Sequence, residues 1–560
     1  MDNYEIAKQF SLLSKLMDIH GENSFKSKTY SIAAYKIDQL TVELQTLLPA
    51  QIFAINGIGE AIGKKILELT ATGKMQALQE LLEKTPEGIL EMMKVKGIGP
   101  KKIAVIWKEM NVENIGELLY ACHENRLSLL KGFGKKTQDN VIESIEFFLK
   151  QKGNYLFAQV EQFAFELQQL LQQIFYLDNV AITGNFLQQH ETLEELEFVI
   201  PFSVKDISDK LNVIADFRSL EQASDHLLYI YKDIIKVKLH VATEENIIQR
   251  IFETSSSPEF TEAFNKKFNS DLTVQVNDET QIFKNAGIQY VHPVLRESSE
   301  ILVVAEQYKI PHLIQPDDIK GIIHCHSNWS DGSNTLPELA DACIAKGYEY
   351  LVISDHSKSA FYAQGLSEEK IQAQHQLVDE LNNKLAPFRI FKSIESDILN
   401  DGSLDYSNTI LATFDLVIAS VHSNLKMTEE KAMMRLINAI ENPYTTILGH
   451  MTGRLLLSRK GYPVDHKKII DACAANNVVI EINAHPRRLD ISWKWLDYLL
   501  SKNVLVSIDP DAHSTSEFSN TRYGVLVAQK GMVTAGQNLS SFSLQEFEGF
   551  LKENKSSKKR

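Results

Sequence analysis

Short apolar runs that each end in a polar side chain recur through the second half of the sequence. Ile322-Ile323 leads into His324, and Tyr350–Ile353 leads into Ser354-Asp355-His356. The runs at 390–394, 416–421, 446–449 and 504–508 end in the same way. Helical patterns lie between them, such as 336–344, which has a proline in its first turn, where a missing N–H is tolerated. This alternation predicts a parallel βα barrel with polar groups at the C-terminal ends of its strands.

The polar groups at these strand ends are of the types that bind divalent cations. Successive side chains of a strand point to opposite faces, so His324 and His326 are predicted to share a face and converge on one ion. A lone histidine after a strand is more often a structural residue, but the repetition over six strand ends indicates a multinuclear metal site. The predicted ligands are His324, His326, Asp331, His356, Glu395, His422, His450, Asp511 and His513.

The motifs around these ligands resemble those of the polymerase-and-histidinol-phosphatase (PHP) domain, over about residues 318 to 530. They are His324-x-His326, Ser330-Asp331-Gly332, Asp355-His356, the run 448–455 and Asp511-Ala512-His513. The resemblance implies a distorted (β/α)7 barrel with three divalent ions, Zn or Mn. It implies that His324, His326, Glu395 and Asp511 hold the first ion, that Glu395, His422 and His450 hold the second, and that Asp331, His356 and His513 hold the third.

Phosphoester hydrolysis is the reaction that such a site predicts. Clustered ions lower the pKa of a shared water and neutralise the charge that builds on a phosphoryl group. Arg454 is a predicted phosphate clamp, because its planar guanidinium matches phosphate oxygens; the alternative is a structural ion pair. His485 also follows a strand-like run, but the related family does not ligate with that position, so it is left outside the ligand set.

Three Gly-apolar-Gly turns in the first half of the chain each precede a helical pattern that has a pair of lysines near its start, at 64–65, 101–102 and 135–136. The glycines allow a tight turn and leave the first N–H groups of the helix facing outward, where they can take a phosphate oxygen. The repeat predicts helix-hairpin-helix units that contact the DNA backbone without reading sequence; ordinary helix connectors are the alternative. The residues predicted to bind DNA are Gly57, Gly59, Gly97, Gly99, Lys101, Lys102, Gly132 and Gly134.

The order of these parts resembles that of the bacterial family X DNA polymerases over nearly the whole chain. The resemblance implies an N-terminal all-α helix-hairpin-helix region, an α+β polymerase-beta-like palm and thumb, and a C-terminal α/β PHP barrel. The implied boundaries are 1–80 for the N-terminal helical domain with the first hairpin, 81–150 for a fingers-like hairpin region, 151–245 for the palm, 246–316 for a thumb-like region, 317–545 for the PHP domain and 546–560 for a basic tail, which is expected to be solvated.

Two features of the first domain follow from the same resemblance. Residues 25–36 are similar to the family's 5′-phosphate-binding helix. Lys65 falls where relatives of polymerase beta carry a Schiff-base lysine, which must have a lowered pKa to attack a sugar aldehyde. The neighbouring Lys64 would lower it by like-charge repulsion, and a lysine that only contacts phosphate is the alternative.

The palm departs from the family pattern at its metal-binding positions. Glu195 and Glu197 stand where two aspartates are expected, and Lys238 aligns with the third. Because Mg²⁺ demands near-ideal octahedral geometry and Lys238 repels it, the palm is predicted not to hold Mg²⁺. Polymerisation is therefore expected to be lost or very weak, and the palm to remain as a structural or DNA-positioning module.

Composition limits the remaining choices. The chain has 560 residues and a net charge of −15, which argues against DNA binding by bulk attraction and requires local contacts. Neither a long apolar run nor a signal pattern is present, which predicts a cytoplasmic, nucleoid-associated protein with no membrane partner. Four cysteines without a CxxC pair predict no disulfide framework. A monomer is expected, with DNA and other repair proteins as partners.

The sequence favours a metal-dependent 3′-5′ exonuclease or 3′-end-processing enzyme that acts on gapped or nicked DNA in base-excision repair. A gap-filling polymerase with an attached PHP nuclease is one alternative, and a DNA-binding scaffold with a structural metal site is another. A small-molecule phosphatase similar to histidinol phosphatase is a further alternative, and the three hairpins count against it.

Overall fold

The computed structural model describes residues 1–40, 42–55, 57–95, 97–150, 153–177, 180–268 and 276–558. These residues form two compact units. The first comprises Met1–Cys122 and Leu127–Phe148, and the second comprises His123–Arg126 and Leu149–Arg560. Within the described part of the chain, no helix combines the length and the apolarity that a membrane crossing requires.

The first unit is helical. Its first helix shows why: Asp2 and Glu5 form a capping box, and Ile6, Phe10 and Leu13 recur at the spacing that buries one face. The helices are α1 (Asn3–His20), α2 (Ser24–Asp38), α3 (Pro49–Phe53), α4 (Glu60–Thr72), α5 (Gln76–Lys84), α6 (Glu87–Met92), α7 (Pro100–Met110), α8 (Ile115–His123) and α9 (Lys135–Lys150).

The three predicted hairpin turns share one backbone geometry. Gly57, Gly97 and Gly132 have φ values of 90°, 91° and 91°, a conformation that glycine adopts without strain. Each turn leads into a helix, since Gly59 and Gly99 cap α4 and α7, and Gly134 accepts the first backbone bonds of α9. The predicted helix-hairpin-helix region is therefore confirmed as a fold.

The second unit begins with the palm, a five-stranded sheet of order β2-β4-β7-β6-β5 in which β4 and β7 are parallel and the other pairs antiparallel. The helix α10 buries Val160, Ala164, Leu167 and Leu171 against it, at a helical spacing. The palm elements are β1 (Tyr155–Leu156), α10 (Phe157–Phe175), β2 (Ala181–Thr183), α11 (Gly184–Leu187), β3 (Thr192–Leu193), β4 (Glu195–Ile200), α12 (Val204–Leu211), β5 (Phe217–Gln222), β6 (His226–Tyr231) and β7 (Ile235–Val241).

A small helical region with a phenylalanine core follows the palm. Phe252, Phe260, Phe264 and Phe283 pack together, and the fully buried Arg296 lies over two of these rings and pairs with a carboxylate of the same region. Its helices are α13 (Ile247–Thr254), α14 (Pro258–Phe268), α15 (Glu279–Asn285) and α16 (Ile301–Glu306).

The C-terminal part is a parallel barrel in which each strand pairs with the next along the chain, in the order β14-β13-β12-β11-β10-β9-β8. The ring is nearly closed, since Ala512 N donates to His324 O at 3.2 Å and His326 N donates to Ala512 O at 2.8 Å. The strands are β8 (Gly321–Cys325), β9 (Tyr350–Ile353), β10 (Arg389–Asp397), β11 (Leu416–Ser420), β12 (Ile447–Leu448), β13 (Val479–Asn483) and β14 (Val506–Asp509).

Helices surround this barrel, as the alternating pattern predicts. They are α17 (Leu336–Ala345), α18 (Glu368–Leu385), α19 (Asn408–Leu411), α20 (Glu429–Glu441), α21 (His466–Asn476), α22 (Leu496–Ser501), α23 (Thr521–Lys530) and α24 (Leu544–Lys558). The predicted fold classes of all three parts, including the seven-stranded C-terminal barrel, are confirmed.

The end of the chain differs from the expected solvated basic tail. Most of it lies in α24, where Phe547 and Leu551 are buried against the N-terminal ends of the barrel strands. The Phe547 ring stacks on Tyr350 with centroids 4.5 Å apart, and Lys555 Nζ donates to Phe414 O at 2.7 Å. Burial of the apolar helix face, whose residues lie four apart, therefore keeps this segment folded against the barrel in spite of its basic charge. Residues 559 and 560 lie outside the described part of the chain.

Candidate metal centre

The predicted ligands lie at the loop end of the barrel, where parallel strands present their C-terminal residues. His324 is in β8, but the register of this strand shifts between Ile322 and Cys325, and His324 has φ 58°. Simple strand alternation therefore does not set the direction of His324. The rings of His324 and His326 still converge, with centroids 5.3 Å apart.

The ligand atoms form three overlapping groups, in each of which all atoms lie within 4.8 Å of one another. Every member is buried except His422, whose side chain is 11% exposed. The groups are His324, His326 and Asp511; His356, Glu395 and His422; and His326, Asp331, His356 and His513.

Glu395 lies at the centre of the arrangement. Its Oε1 is 3.0 Å from His422 Nε2, 2.9 Å from His450 Nε2 and 3.3 Å from His324 Nε2. Its Oε2 is 3.0 Å from His356 Nδ1. A carboxylate contacted on both oxygens by several imidazoles has the geometry of a bridging ligand.

All nine predicted ligands therefore come together, while their division among ions stays a prediction. The third implied set appears as a group to which His326 is added, and the first implied set appears without Glu395. In the second, His356 takes the place of His450 in the group, although His450 Nε2 is 2.9 Å from Glu395.

Charge in this cluster is balanced between carboxylates and imidazoles. Burial opposes ionisation of Glu395, Asp331 and Asp511, yet the surrounding histidines hold the pKa of each carboxyl well below its usual range. Burial likewise opposes protonation of His422, but Glu395 and Asp397 raise its pKa to about 9. The pKa of His513 rises to about 10, because Asp331 outweighs its burial.

The cluster fits bound cations on its own geometry. Seven buried atoms have no hydrogen-bond partner among the described residues, and such atoms are costly unless another group satisfies them. Mixed imidazole and carboxylate donors suit Zn or Mn. The seven atoms are His324 Nε2, His326 Nδ1, Asp331 Oδ2, His356 Nδ1, Glu395 Oε2, His450 Nδ1 and His513 Nε2.

Two carboxylates that the sequence analysis missed orient predicted ligands by hydrogen bonds to their second ring nitrogen. Glu481 accepts from His324 Nδ1 at 2.5 Å and from His450 N at 2.6 Å. Asp397 accepts from His422 Nδ1 at 3.0 Å. A carboxylate hydrogen-bonded to the second ring nitrogen fixes the tautomer and the direction of a ligating histidine. Glu481 carried a signal, because it interrupts the apolar run 478–482, whereas Asp397 ends a strand that contains several other polar residues.

The loop that presents Asp331 is held by a buried carboxylate as well. Asp355 accepts from Ser327 N at 2.8 Å, Ser327 Oγ at 2.6 Å and Gln374 Nε2 at 2.6 Å. It also accepts from Ser330 Oγ at 2.5 Å, next to the ligand. Asp355 therefore acts as a structural anchor, and the neighbouring His356 is the predicted ligand of this motif.

The guanidinium of Arg454 is occupied by protein groups. Its Nη2 is 2.7 Å from Glu191 Oε1, and it also donates to Leu489 O, while its Nε donates to Arg488 O at 2.9 Å. This is the structural ion pair that the sequence left open, and the clamp role stays a prediction. His485 is buried and lies outside the three ligand groups, as expected.

The palm carboxylates lie beside basic side chains of the neighbouring strand. Glu197 Oε2 is 2.8 Å from His240 Nε2, and Glu195 Oε1 is 4.0 Å from Lys238 Nζ. Burial and the nearby Glu197 raise the pKa of Glu195. Among the described residues these carboxylates are not part of any group of three metal-capable side chains.

The hairpin turns of the first unit leave their backbone open. A Cβ added at Gly97, Gly99, Gly132 or Gly134 would meet no atom within 4 Å, so an outside group can approach these turns closely. At Gly57 the Lys36 side chain fills that space. Among the predicted lysines, Lys101 is exposed and Lys102 is half-buried, with its Nζ 5.7 Å from the centroid of the Phe133 ring.

Lys65 lies beside an aromatic ring. Its Nζ is 6.0 Å from the centroid of Tyr30, in the helix that contains segment 25–36. The neighbouring Lys64 pairs with Glu60 at 2.6 Å on the exposed side of α4. The charge on Lys64, which was expected to act on Lys65, is therefore partly balanced by a carboxylate.

Comparison with family models matches residues 1–75 to a helix-hairpin-helix domain, residues 89–146 to a SAM-like helix-hairpin-helix tandem and residues 323–485 to the PHP domain. The chain is 30% identical over 574 residues to the DNA polymerase/3′-5′ exonuclease PolX of Bacillus subtilis, covering 99% of this chain and 100% of that protein. It is 30% identical over 171 residues to a probable phosphatase of Caldanaerobacter subterraneus, covering 29% of this chain and 60% of the relative. A probable phosphatase of a Thermoanaerobacter species is 29% identical over 168 residues, with 29% and 62% covered.

Proposed function

Since the chain belongs to the family X DNA polymerases that carry a C-terminal PHP domain, we propose that it is a metal-dependent phosphodiesterase that trims DNA 3′ ends at gaps and nicks during base-excision repair. The observation that carries this proposal is the buried convergence of nine ligand side chains around Glu395. The 3′-5′ exonuclease in the name of the Bacillus relative supports the direction of trimming.

Three divalent ions, Zn or Mn, would be held by the nine predicted ligands, and when bound they would lower the pKa of a water and neutralise charge on the phosphoryl group. The protein's own contribution is orientation. Glu481 fixes His324 with its Nε2 lone pair facing Glu395 and Asp511, and Asp397 does the same for His422. Glu395 holds the groups together, as a bridging carboxylate would.

The terminal nucleotide is proposed to enter beside His422. A cavity of about 460 Å³ opens there, within the range of about 300–1,000 Å³ that small-molecule sites occupy. Ser359, Asn400 and Asp401 contribute polar groups to its lining, and Tyr362 contributes an aromatic ring. These groups suit a nucleoside better than a further phosphate, because Asp401 would repel one.

The N-terminal hairpins are proposed to hold the DNA through phosphate contacts. Their open glycine turns and the lysines that follow them support this assignment, and the net charge of −15 requires that such contacts be local. Lys65 is assigned as one of the phosphate contacts, with Schiff-base chemistry at an abasic site as the alternative role. A monomer that works in the cytoplasm near the nucleoid, together with other repair proteins, completes the proposal.

The palm is proposed to have lost polymerisation. The support is the contact of Glu197 with His240 and of Glu195 with Lys238, which occupies the carboxylates that Mg²⁺ would need and places a lysine beside them. The name of the Bacillus relative includes DNA polymerase, and this favours a second candidate function, a gap-filling polymerase with an attached nuclease.

The proposed hydrolysis is tested with purified protein of measured metal content and a duplex whose primer strand carries a 5′ label. Mn²⁺-dependent shortening of the primer from its 3′ end is expected. Asp511→Ala and His324→Ala should abolish it. Glu380→Gln, which changes an exposed helix carboxylate, should have no effect. Metal binding without any shortening would favour the scaffold alternative and overturn the proposal.

A further inference from the structure

We infer that the palm positions the phosphodiesterase centre through the ion pair between Glu191 and Arg454. The inference rests on the proposed function, and it gives the palm a task other than synthesis. Both residues belong to the same compact unit of the structure. Glu191 lies between α11 and β3 of the palm, and Arg454 lies in the barrel loop that follows β12.

The ion pair is short and mostly shielded from water. Arg454 Nη2 is 2.7 Å from Glu191 Oε1, and the two side chains are 16% and 18% exposed. Charge-assisted bonds of this kind are stronger than neutral ones, and removing one partner leaves the other charge half-buried without compensation. The pair therefore fixes the guanidinium in one place.

The same guanidinium holds a second barrel loop. Arg454 Nε donates to Arg488 O at 2.9 Å, and Nη2 also donates to Leu489 O. Leu456 N adds a bond to Arg487 O at 2.6 Å. The palm carboxylate, the Arg454 loop and the loop at 487–489 are thus connected by hydrogen bonds that share one side chain.

The loop at 487–489 borders the metal ligands. Arg488 Nε lies 3.7 Å from Asp511 Oδ2. Asn483, the last residue of β13, donates from its backbone to Asp490 O at 2.6 Å and from its side chain to Asp511 Oδ2 at 3.1 Å. A displacement of this loop is therefore transmitted to Asp511, a predicted ligand of the first ion.

Palm residues next to Glu191 make further contacts outside the palm. Lys530 Nζ donates to Gln188 O at 2.7 Å, and His190 Nε2 is 3.0 Å from Glu297 Oε1, which Lys530 also contacts. On the barrel side, Leu526 packs against the palm core. The palm segment 188–191 thus contacts the barrel at Lys530 and Arg454.

The test is Glu191→Gln, which keeps the shape of the side chain and removes its charge. The expected results are about a tenfold loss in kcat for primer shortening with KM unchanged, and about a tenfold weaker binding of the most weakly held Mn²⁺, as measured by competition with a chelator. Glu194→Gln is the matched control, because Glu194 is an exposed carboxylate three residues along the same segment. It should change neither quantity.

Arg454→Lys tests whether Arg454 must hold the loop at 487–489 or needs only to pair with Glu191. The lysine keeps the charge opposite Glu191, but one ammonium group cannot replace the planar set of donors to Arg488 O and Leu489 O. We expect the same loss of Mn²⁺ affinity as in Glu191→Gln, and no additional loss when the two are combined. Full retention of Mn²⁺ affinity in Arg454→Lys would overturn the positioning role.

The outcomes separate this inference from the proposed function. If the wild-type protein binds Mn²⁺ and does not shorten the primer, the proposed function fails, whatever the variants do. If the wild type cuts and Glu191→Gln matches Glu194→Gln in both kcat and Mn²⁺ affinity, only the positioning role is overturned. Should Glu191→Gln not fold, as judged by circular dichroism, Glu191→Asp keeps the charge on a shorter side chain and is expected to show a smaller loss of the same two quantities.

Discussion

Glu481→Gln is expected to weaken metal binding although it removes no ligand. In the wild-type protein, Glu481 accepts from His324 Nδ1 at 2.5 Å and from His450 N at 2.6 Å. In the metal-free protein Asp511 and Glu481 outweigh burial and hold the pKa of His324 well above its usual value, so the ring must lose a proton before it can ligate. Retention of the proton on Nδ1 then leaves the lone pair on Nε2, which lies 3.3 Å from both Glu395 Oε1 and Asp511 Oδ1. Glu481 therefore selects the tautomer that can ligate.

Glutamine reverses that selection. Only its oxygen can accept from His450 N, so its NH₂ group turns toward His324 Nδ1 and donates to it. The ring proton then moves to Nε2, and the lone pair that faces the site is lost. Outer hydrogen-bond partners of ligating histidines are typically worth about 10–100-fold in metal affinity. This corresponds to about 1.4–2.8 kcal/mol of binding free energy.

The assay is a competition titration of metal-free protein with Zn²⁺ and a chelator of known affinity, and ¹⁵N NMR of the histidine rings reports the tautomer. Glu380→Gln is the control, because it makes the same chemical change on an exposed helix. A Zn²⁺ affinity of Glu481→Gln equal to that of the control would refute the tautomer argument.

Three further predictions follow from the same contacts. Asp397→Asn removes the carboxylate behind His422, so one Zn²⁺ should bind about tenfold more weakly in the titration; unchanged affinity would show that Asp397 does not orient the ring. In the metal-free protein, His422 and His513 have pKa values of about 9 and 10, because carboxylates outweigh their burial. At neutral pH both are protonated, so Zn²⁺ binding should release protons and strengthen as the pH rises toward 9; calorimetry in buffers of different protonation enthalpy that showed no release would contradict this. Gly97→Ala places a side chain at φ 91°, so thermal unfolding should show a stability loss of about 1–3 kcal/mol, and binding to gapped DNA should weaken; an unchanged unfolding curve would argue against a strained turn.

The barrel, and the position of the predicted ligands at its loop end, could be predicted from the sequence because both depend on local regularities. Parallel strands buried on both faces appear as apolar runs, and the polar residue after each run marks the loop end of the barrel. Glu395, His422 and His450 all follow from this rule. The repeated glycine turns were readable for a similar reason, since each is a short local motif.

The remaining features depend on contacts between distant segments. The register shift that changes the direction of the His324 side chain is an irregularity in β8, and no residue in that strand predicts it. The role of Glu481 requires knowing that β13 brings it to His324, which is distant in the sequence. In α24, Phe547 and Leu551 indicated a buried helix face, but the surrounding lysines led to the prediction of a solvated tail. The ion pair of Arg454 likewise joins two parts of the chain whose contact no pattern encodes.

The proposed function requires that the C-terminal barrel cuts DNA while the palm does not extend it. In the decisive experiment, a 5′-labelled primer in a gapped duplex is incubated with the purified protein, Mn²⁺ and all four dNTPs, and the primer length is followed over time. We expect the primer to become shorter, and Asp511→Ala to leave it unchanged in length. A primer that grows in the presence of dNTPs, with growth that persists in Asp511→Ala, would contradict the account, because the palm would then retain the synthetic activity that Glu195, Glu197 and Lys238 are inferred to have lost.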